Sequence, residues 1–184
     1  LHDALPISTL DAEDVSPVVD RITWKIEDSD LNGHAHFMEK EIFEQPAVLG
    51  DTLRSFADPA SHRIALPELP FDLATLPRLA IVACGTASYA GLVGKYWFEG
   101  LAGLPVDWDI ASEFRYREPP LVPGQAGLFV SQSGETADTL AAMRHLCGGG
   151  HPALAIVNVA ESTLAREADA EVRTLAGPEI GVAS

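Results

Sequence analysis

The amino-acid sequence predicts an α/β fold built on a five-stranded, parallel, doubly wound sheet flanked by helices. From residue 78 onward, short apolar runs alternate with segments of helical periodicity, and the connections between them are short. Residues 79–83 are apolar at every position, which is typical of a parallel strand covered on both faces. With 184 residues, 47% of them hydrophobic, the chain is long enough to bury one substantial core.

Composition excludes several classes of protein. The 12 Lys and Arg residues and 27 Asp and Glu residues give a net charge of −15, which argues against nonspecific binding to nucleic acid or an anionic membrane. No apolar run reaches the roughly 20 residues that a membrane-spanning helix needs. Two cysteines, Cys84 and Cys147, are too few for a disulfide-based fold and favour a reducing, cytoplasmic compartment. Because the chain starts at Leu1 rather than Met and stops at Ser184 directly after an apolar stretch, we expect it to be a fragment.

The elements before the sheet are predicted as follows. Residues 1–20 have no sustained period and are expected to be poorly ordered, whereas apolar and polar residues alternate over 22–26, which predicts a half-buried strand. Apolar residues three or four apart predict a helix over residues 37–56, which Pro46 should kink or split. Four prolines within residues 58–77 predict an extended surface connection.

The predicted sheet begins after Pro77. Its strands are expected at residues 79–83, 106–110, 127–130, 154–157 and 171–175, with helices at 89–97, around 140–147 and at 162–168. In the first of these helices, side chains at i, i+3, i+4, i+7 and i+8 form a stripe that we expect to pack in the core: Tyr89, Leu92, Val93, Tyr96 and Trp97. The run Gly148-Gly149-Gly150 is expected to end the second helix.

The strongest candidate site is the serine turn, residues 131–136, between a predicted strand and a predicted helix. Ligands of open α/β sheets bind beyond the carboxyl ends of the strands, where free amides at a helix start attract anions. The turn offers three hydroxyls, on Ser131, Ser133 and Thr136. Gly134 allows close approach of the backbone, and Gln132 and Glu135 add two further polar side chains. It has no Lys or Arg, so any phosphate would be held by backbone dipoles and hydroxyls. The alternative is simple helix capping, with Ser133 as the cap and Glu135 complementing the helix dipole.

A second turn, the cysteine turn (residues 84–88), follows the first predicted strand in the same way. Its sequence is Cys84-Gly85-Thr86-Ala87-Ser88, which has fewer donors and is a weaker signal alone. We interpret Cys84 as a small buried residue rather than a nucleophile, because no basic partner lies nearby in the sequence.

Three other patterns carry weaker hypotheses. Residues 28–39 match the spacing of a calcium-binding EF-hand loop, but the segment that enters the loop has strand periodicity where a helix is required. His34 and His36 lack further ligands at zinc-like spacing, so no metal site is predicted. Two hypotheses are open for Arg115 and Arg117. In the first they contact a phosphate or a partner domain, and in the second they form surface ion pairs with the adjacent Glu113 and Glu118.

Six segments, in the same order along the chain, are similar to the glutamine–fructose-6-phosphate aminotransferase (isomerizing) family: residues 37–46, 83–86, 95–99, 111–116, 131–139 and 179–184. The resemblance implies a SIS (sugar isomerase) domain. Members of this family combine an N-terminal glutaminase domain with two SIS domains. They pass ammonia from glutamine to fructose 6-phosphate and isomerise the product to glucosamine 6-phosphate, and the resemblance implies no cofactor.

The resemblance also implies a domain organisation. Residues 1–36 would be the tail of the glutaminase domain and linker, 37–77 a helical linker with its extended connection, and 78–184 the first SIS domain, truncated at its end. Residues 1–8 match nothing expected of the family and are interpreted as foreign sequence. The implied partners are the two sugar phosphates, the missing glutaminase and second SIS domains, and a second copy in a homodimer, with no nucleic acid and no membrane.

Carried over position by position, the resemblance assigns the phosphate to Ser131, Gln132, Ser133 and Thr136, and the sugar to Thr86, Val182 and Ser184. Weaker candidates by position are Gly85, Ser88, Gly134 and Glu135. Ala87 stands where many members have a serine that helps to hold the substrate, and we do not transfer that role to Ser88. Because the family's glutaminase cysteine and its isomerase Glu, Lys and His bases have no counterpart in this sequence, we expect binding without turnover. A phosphosugar-sensing SIS module is the alternative.

Overall fold

The computed structural model describes residues 7–8, 14–15 and 30–181, and the chain divides into two units, residues 1–30 and 31–184. In the first unit, β1 (Ile7–Ser8) pairs with β2 (Asp14–Val15) in antiparallel orientation, where the sequence predicted no regular structure. The strand predicted over residues 22–26 lies outside the described residues, as do Val182 and Ser184.

The second unit contains the predicted five-stranded parallel sheet, so the fold class is confirmed. Its strands are β5 (Leu79–Ala83), β6 (Val106–Ile110), β7 (Ala126–Ser131), β8 (Ala153–Val157) and β9 (Ala170–Arg173). The order across the sheet is β6-β5-β7-β8-β9, and every neighbouring pair is parallel. After β5 the chain moves to the edge strand β6 and then returns to the other side of β5 at β7. The strand order therefore reverses between β5 and β7, and such a reversal leaves a crevice at the carboxyl ends of these strands.

Five α-helices are described. Their bounds are α1 (Phe37–Phe56), α2 (Gly85–Trp97, continued by a π-helical turn over Phe98–Ala102), α3 (Ala111–Arg117), α4 (Ala137–Gly148) and α5 (Thr163–Glu167). The sequence did not predict α3, nor the short hairpin of β3 (Ala57–Asp58) and β4 (Arg63–Ile64) that follows α1. Among the described residues, no helix is both long enough and apolar enough to cross a membrane.

The sheet has an apolar cluster on each face. On one face, Phe129 packs with α4 residues such as Met143 and Leu146, and all three are fully buried. On the other face, Ile81 is buried under α2. Helix α2 approaches closely because Gly91 faces the strand, where an added Cβ would lie 2.8 Å from Cγ2 of Ile81.

The prediction that the aromatic stripe of α2 packs in the core is wrong. Tyr89, Val93, Tyr96 and Trp97 are between 47 and 66% exposed. The helical period was correct, but the face that meets the sheet is the one with small residues, since small side chains allow the helix axis to come nearer to the strands.

Of the two effects predicted for Pro46, a kink or a split in the linker helix, the split does not occur. Helix α1 runs without interruption from Phe37 to Phe56 with Pro46 inside it. A proline φ near −65° lies within the helical range, so Pro46 removes one backbone donor without ending the helix.

Candidate functional site

The serine turn lies at the carboxyl end of β7, at the point where the strand order reverses. Strands β5 and β7 are paired in register, with Ala83 opposite Val130. The cysteine turn, which follows β5, and the serine turn, which follows β7, therefore leave the same edge of the sheet side by side. Two turns that are far apart in the sequence flank the same crevice, as expected for the ligand site of an open α/β sheet.

Hydroxyl groups fold the serine turn into a compact loop. Ser131 is buried, and its Oγ accepts a hydrogen bond from the Gly134 amide at 3.0 Å and lies 3.3 Å from Oγ1 of Thr136. The Oγ of Ser133 accepts a hydrogen bond from the Glu135 amide at 3.2 Å.

The start of α4 corrects the capping alternative. The N-cap is Thr136 rather than Ser133, and its side chain makes no capping hydrogen bond. The first amides of α4 therefore have no capping side chain, and the positive end of the helix dipole lies directly beside the turn. This arrangement suits the binding of an anion.

Gly134 is required by two features of the turn. Its φ is +66°, a conformation that residues with a Cβ rarely adopt, and an added Cβ would lie 2.0 Å from Oγ and 2.4 Å from Cβ of Ser162. Its carbonyl accepts a hydrogen bond from the Leu164 amide at 3.0 Å. The serine turn is therefore wedged against the start of α5, and only glycine fits there.

Glu135 is bound to α5 rather than to the helix that follows it. Its Oε1 accepts a hydrogen bond from the Thr163 amide at 2.7 Å, and this bond lowers the pKa of the Glu135 carboxyl from its ordinary value. The carboxylate thus complements the N-terminus of α5, whereas the sequence reading placed it at α4.

One cation lies near the start of α4 although the serine turn itself has none. Arg115 of α3 donates to Asp138 in the first turn of α4, with Nη1 2.9 Å from Oδ1, and this hydrogen bond raises the pKa of the guanidinium. Arg117 pairs with Asp109. Both arginines form ion pairs, as one of the two hypotheses had it, but with carboxylates other than the predicted neighbours. The pairing also offsets the negative charge of Asp138, which would otherwise repel a phosphate.

In the cysteine turn, Thr86 and Ser88 differ in accessibility. Thr86 is exposed at the start of α2, one residue after Gly85, whose φ is +55°. Ser88 is 3% exposed, and its hydroxyl donates to the Gly85 carbonyl at 2.7 Å. The Ser88 hydroxyl therefore serves the local structure, whereas the Thr86 hydroxyl is accessible at the crevice. Cys84 is a half-buried free thiol.

Asn158, directly after β8, is a residue that the sequence analysis missed. Its backbone amide donates a hydrogen bond to the backbone carbonyl of Gln132 at 3.0 Å, so Asn158 connects the serine turn to the end of the neighbouring strand. A single asparagine after a strand carries no pattern by which it could have been found. Over the described residues, no group of three or more His, Cys, Asp and Glu side chains is arranged to hold a metal ion.

A cavity of about 580 Å³ lies beside the edge strand β6, and no residue of the serine turn lines it. Each cation that lines it is bound to a carboxylate: Arg78 to Asp107, Lys95 to Glu99 and Arg117 to Asp109. Because these charges are already paired, we regard the crevice at the serine turn as the better anion site.

The sequence matches a known domain family and several curated proteins. Residues 72–184 match the SIS domain. The glutamine–fructose-6-phosphate aminotransferase [isomerizing] of Bradyrhizobium diazoefficiens is 58% identical over 156 residues, which are 84% of this chain and 26% of that protein. The protein of the same name from Gluconobacter oxydans is 49% identical over 182 residues, 99% of this chain and 30% of that protein. The chain thus spans between a quarter and a third of the length of these relatives.

Solved structures agree with the sequence comparisons. The C-terminal domain of glucosamine-fructose-6-phosphate aminotransferase from Francisella tularensis superimposes with a TM-score of 0.75 and 40% identity, covering 84% of this chain and 44% of that one. A glucosamine-6-phosphate deaminase from Thermotoga maritima, 22% identical, shares the fold with a TM-score of 0.62 over 75% of this chain and 40% of that one.

Proposed function

Since this chain belongs to the SIS domain family, we propose that its serine turn binds the phosphate group of a sugar phosphate. The observation that carries the proposal is the geometry at the start of α4. Three hydroxyls surround a glycine turn, and the helix that follows has no capping side chain. The amides of that first turn can donate to phosphate oxygens, and the hydroxyls of Ser133 and Thr136 add further donors.

In the proposed site, nearby groups attract the phosphate, and the net charge of the chain does not. The chain has a net charge of −15, so long-range attraction of an anion is not available. The dipole of α4 and its free amides attract the phosphate over a few ångströms, where ionic screening is weak. Arg115 helps because it offsets the negative charge of Asp138.

We assign the sugar to the neighbouring turn and to the end of the sequence. Thr86, exposed on the cysteine turn, supplies one hydroxyl, and Gly85 lets the backbone come near. Val182 and Ser184 complete the proposed sugar site. The proposed ligands are fructose 6-phosphate and glucosamine 6-phosphate, because the relatives that match are named for a reaction of fructose 6-phosphate.

For a longer protein containing this chain, we propose the synthesis of glucosamine 6-phosphate from fructose 6-phosphate and glutamine. The chain itself would hold the sugar phosphate. Glutaminase and isomerase groups would come from other domains, with residues 1–36 and 37–77 serving as connection and 78–184 as the first SIS domain. We further propose a homodimer, and a cytoplasmic location that the free thiols of Cys84 and Cys147 support.

Titration of the 184-residue chain followed by NMR tests phosphate binding. Adding fructose 6-phosphate should shift the amide signals of residues 131–137, inorganic phosphate should shift the same signals more weakly, and fructose should leave them unchanged. If fructose and its 6-phosphate shift these signals equally, the phosphate assignment is wrong.

A pair of serine variants provides the control. Ser133→Ala should weaken binding of fructose 6-phosphate by about tenfold, the effect of losing one hydrogen bond to a charged group. Ser61→Ala removes an exposed hydroxyl that donates only to Asp58 in the β3–β4 region, and it should leave the affinity unchanged. Equal affinities of the two variants would contradict the role of Ser133.

A further inference from the structure

Residues 174–181, which follow β9, form an irregular segment that leads directly to Val182 and Ser184. We call it the tail segment. Irregular backbone of this kind has many accessible conformations, and ordering each residue costs about 1–2 kcal/mol. The contacts that fix the tail segment therefore restrict the conformations that its backbone adopts.

One set of contacts comes from Asn158, the residue that also holds the serine turn. Its Oδ1 accepts hydrogen bonds from Oγ1 of Thr174 at 3.1 Å and from the Ala176 amide at 2.9 Å. Its Nδ2 donates to the Gly177 carbonyl at 2.6 Å. A single side chain thus ties the beginning of the tail segment to the strand edge beside the serine turn.

The other end of the tail segment is held by Glu41 of α1. Its Oε1 accepts hydrogen bonds from two successive amides, Ile180 at 2.7 Å and Gly181 at 2.9 Å. Hydrogen bonds to a carboxylate are about twice as strong as those between neutral groups, and two of them on adjacent amides fix the direction of the backbone.

Close packing at Gly181 adds to this restraint. A Cβ at this position would lie 2.7 Å from the backbone nitrogen of Met38 and 2.9 Å from Oε2 of Glu41. The tail segment therefore lies directly against the first turns of α1. A cavity of about 160 Å³ separates this contact from the serine turn, and Glu41, Gln132 and Asn158 all line it.

We propose that Glu41 is a positioning residue for sugar binding, which holds the backbone at Ile180 and Gly181 so that the tail segment borders the sugar of a ligand bound at the serine turn. The inference rests on the proposed function of that turn. It adds a role for the linker helix α1, which accepts hydrogen bonds from the tail segment. Because the tail is fixed before the ligand arrives, its ordering cost is not deducted from the binding energy.

Calorimetric titration of the 184-residue chain with two probes tests the inference. Fructose 6-phosphate reports on the phosphate and sugar contacts together, whereas inorganic phosphate reports on the serine turn alone. Glu41→Ala should weaken fructose 6-phosphate binding by about tenfold and change inorganic phosphate binding by less than about twofold. Glu41→Gln keeps an acceptor oxygen and should restore part of the lost affinity.

Thr52→Val is the matched control. The Oγ1 of Thr52, also on α1, accepts a hydrogen bond from the Leu175 amide at 2.9 Å, so this variant loosens the tail segment at its β9 end and leaves the contacts of Ile180 and Gly181 with Glu41 in place. It should leave both affinities within about twofold of the original chain, because Asn158 still holds that end of the tail.

The outcomes separate the two ideas. If the original chain binds neither probe, the proposed function of the serine turn is wrong and the positioning role falls with it. If the original chain binds fructose 6-phosphate and Glu41→Ala binds it equally well, the proposed function stands and the positioning role is wrong. Equal losses for both probes, or an equal loss in Thr52→Val, would show general loosening and would also overturn the positioning role. Should Glu41→Ala fail to fold by circular dichroism, Glu41→Gln replaces it with a smaller expected effect: weaker fructose 6-phosphate binding and unchanged inorganic phosphate binding support the positioning role, and unchanged binding of both probes overturns it.

Discussion

Replacement of Gly134 by alanine tests how tightly the serine turn is built. At a φ of +66°, a residue with a Cβ loses about 1–2 kcal/mol relative to glycine. The new methyl group would also lie 2.0 Å from Oγ and 2.4 Å from Cβ of Ser162, and such overpacking typically costs about 1–3 kcal/mol. Gly134→Ala should therefore lower the free energy of unfolding by about 2–5 kcal/mol.

Gly150→Ala is the matched variant for this measurement. Gly150 has a φ of +80°, and nothing lies within 4 Å of a Cβ built there, so only the conformational cost of about 1–2 kcal/mol applies. Urea denaturation followed by circular dichroism should show a gap of about 1–3 kcal/mol between the two variants. In a thermal melt, each kcal/mol of that gap corresponds to about 2–4 °C for a chain of this size.

A second substitution identifies the source of the gap. Ser162→Gly removes the two nearest atoms that the new methyl group would meet. Measured against the Ser162→Gly variant, which loses the cap of α5, Gly134→Ala should therefore cost little more than the conformational term. If Gly134→Ala and Gly150→Ala cost the same within about 0.5 kcal/mol, or if Gly134→Ala costs as much in the Ser162→Gly variant as in the original chain, the close contact between the serine turn and α5 is not as described.

Three further predictions follow from burial and charge. The Glu135 carboxyl has a pKa below its ordinary value of 4.5, so its bond to the Thr163 amide stabilises the fold above that pH and is lost as pH falls through the lowered pKa. Glu135→Gln should thus destabilise the chain at pH 7, and urea denaturation should show this loss shrinking as pH falls below 4.5. Burial raises the pKa of Cys147 above 9.0, so mass spectrometry should find it alkylated by iodoacetamide at pH 8 more slowly than glutathione, and an equal rate would contradict this environment. Trp97 is 65% exposed, so Trp97→Ala should lower the free energy of unfolding by less than about 1 kcal/mol, whereas Met143→Ala, at a residue 1% exposed, should lower it by about 2–5 kcal/mol. Comparable losses in urea denaturation would show that Trp97 is buried.

The sheet could be predicted from the sequence because its signal is local. Strands β5 and β6 have the bounds that the sequence predicted. Strand β5 is a short run of apolar residues between two turns, and in β6 apolar and polar residues alternate, so both are recognisable from neighbouring residues alone. Helix α3 was missed because seven residues with three charged side chains show no apolar period. The inward face of α2 was wrongly predicted, because the size of the largest side chains does not indicate how near the helix axis lies to the sheet.

The candidate site was only partly predictable for a related reason. Its position followed from a strand, a glycine turn and a helix in succession, all of which are local features. The contacts that shape it are not local: Glu41 meets Gly181 across 140 residues, and Arg115 meets Asp138 across 23. Glutamate and arginine at helix surfaces are common, and nothing in their own neighbourhood in the sequence indicates such partners.

The order of strands in the sheet bears on how copies of this chain avoid aggregation. The three inner strands β5, β7 and β8 carry no charged residue, whereas the two edge strands do: Asp107 and Asp109 on β6, Glu171 and Arg173 on β9. Charged side chains on an edge strand hinder the addition of a further strand from another molecule, because their charges would be stripped of water. We therefore expect neighbouring molecules to meet through helices and loops, while the sheet itself ends at five strands.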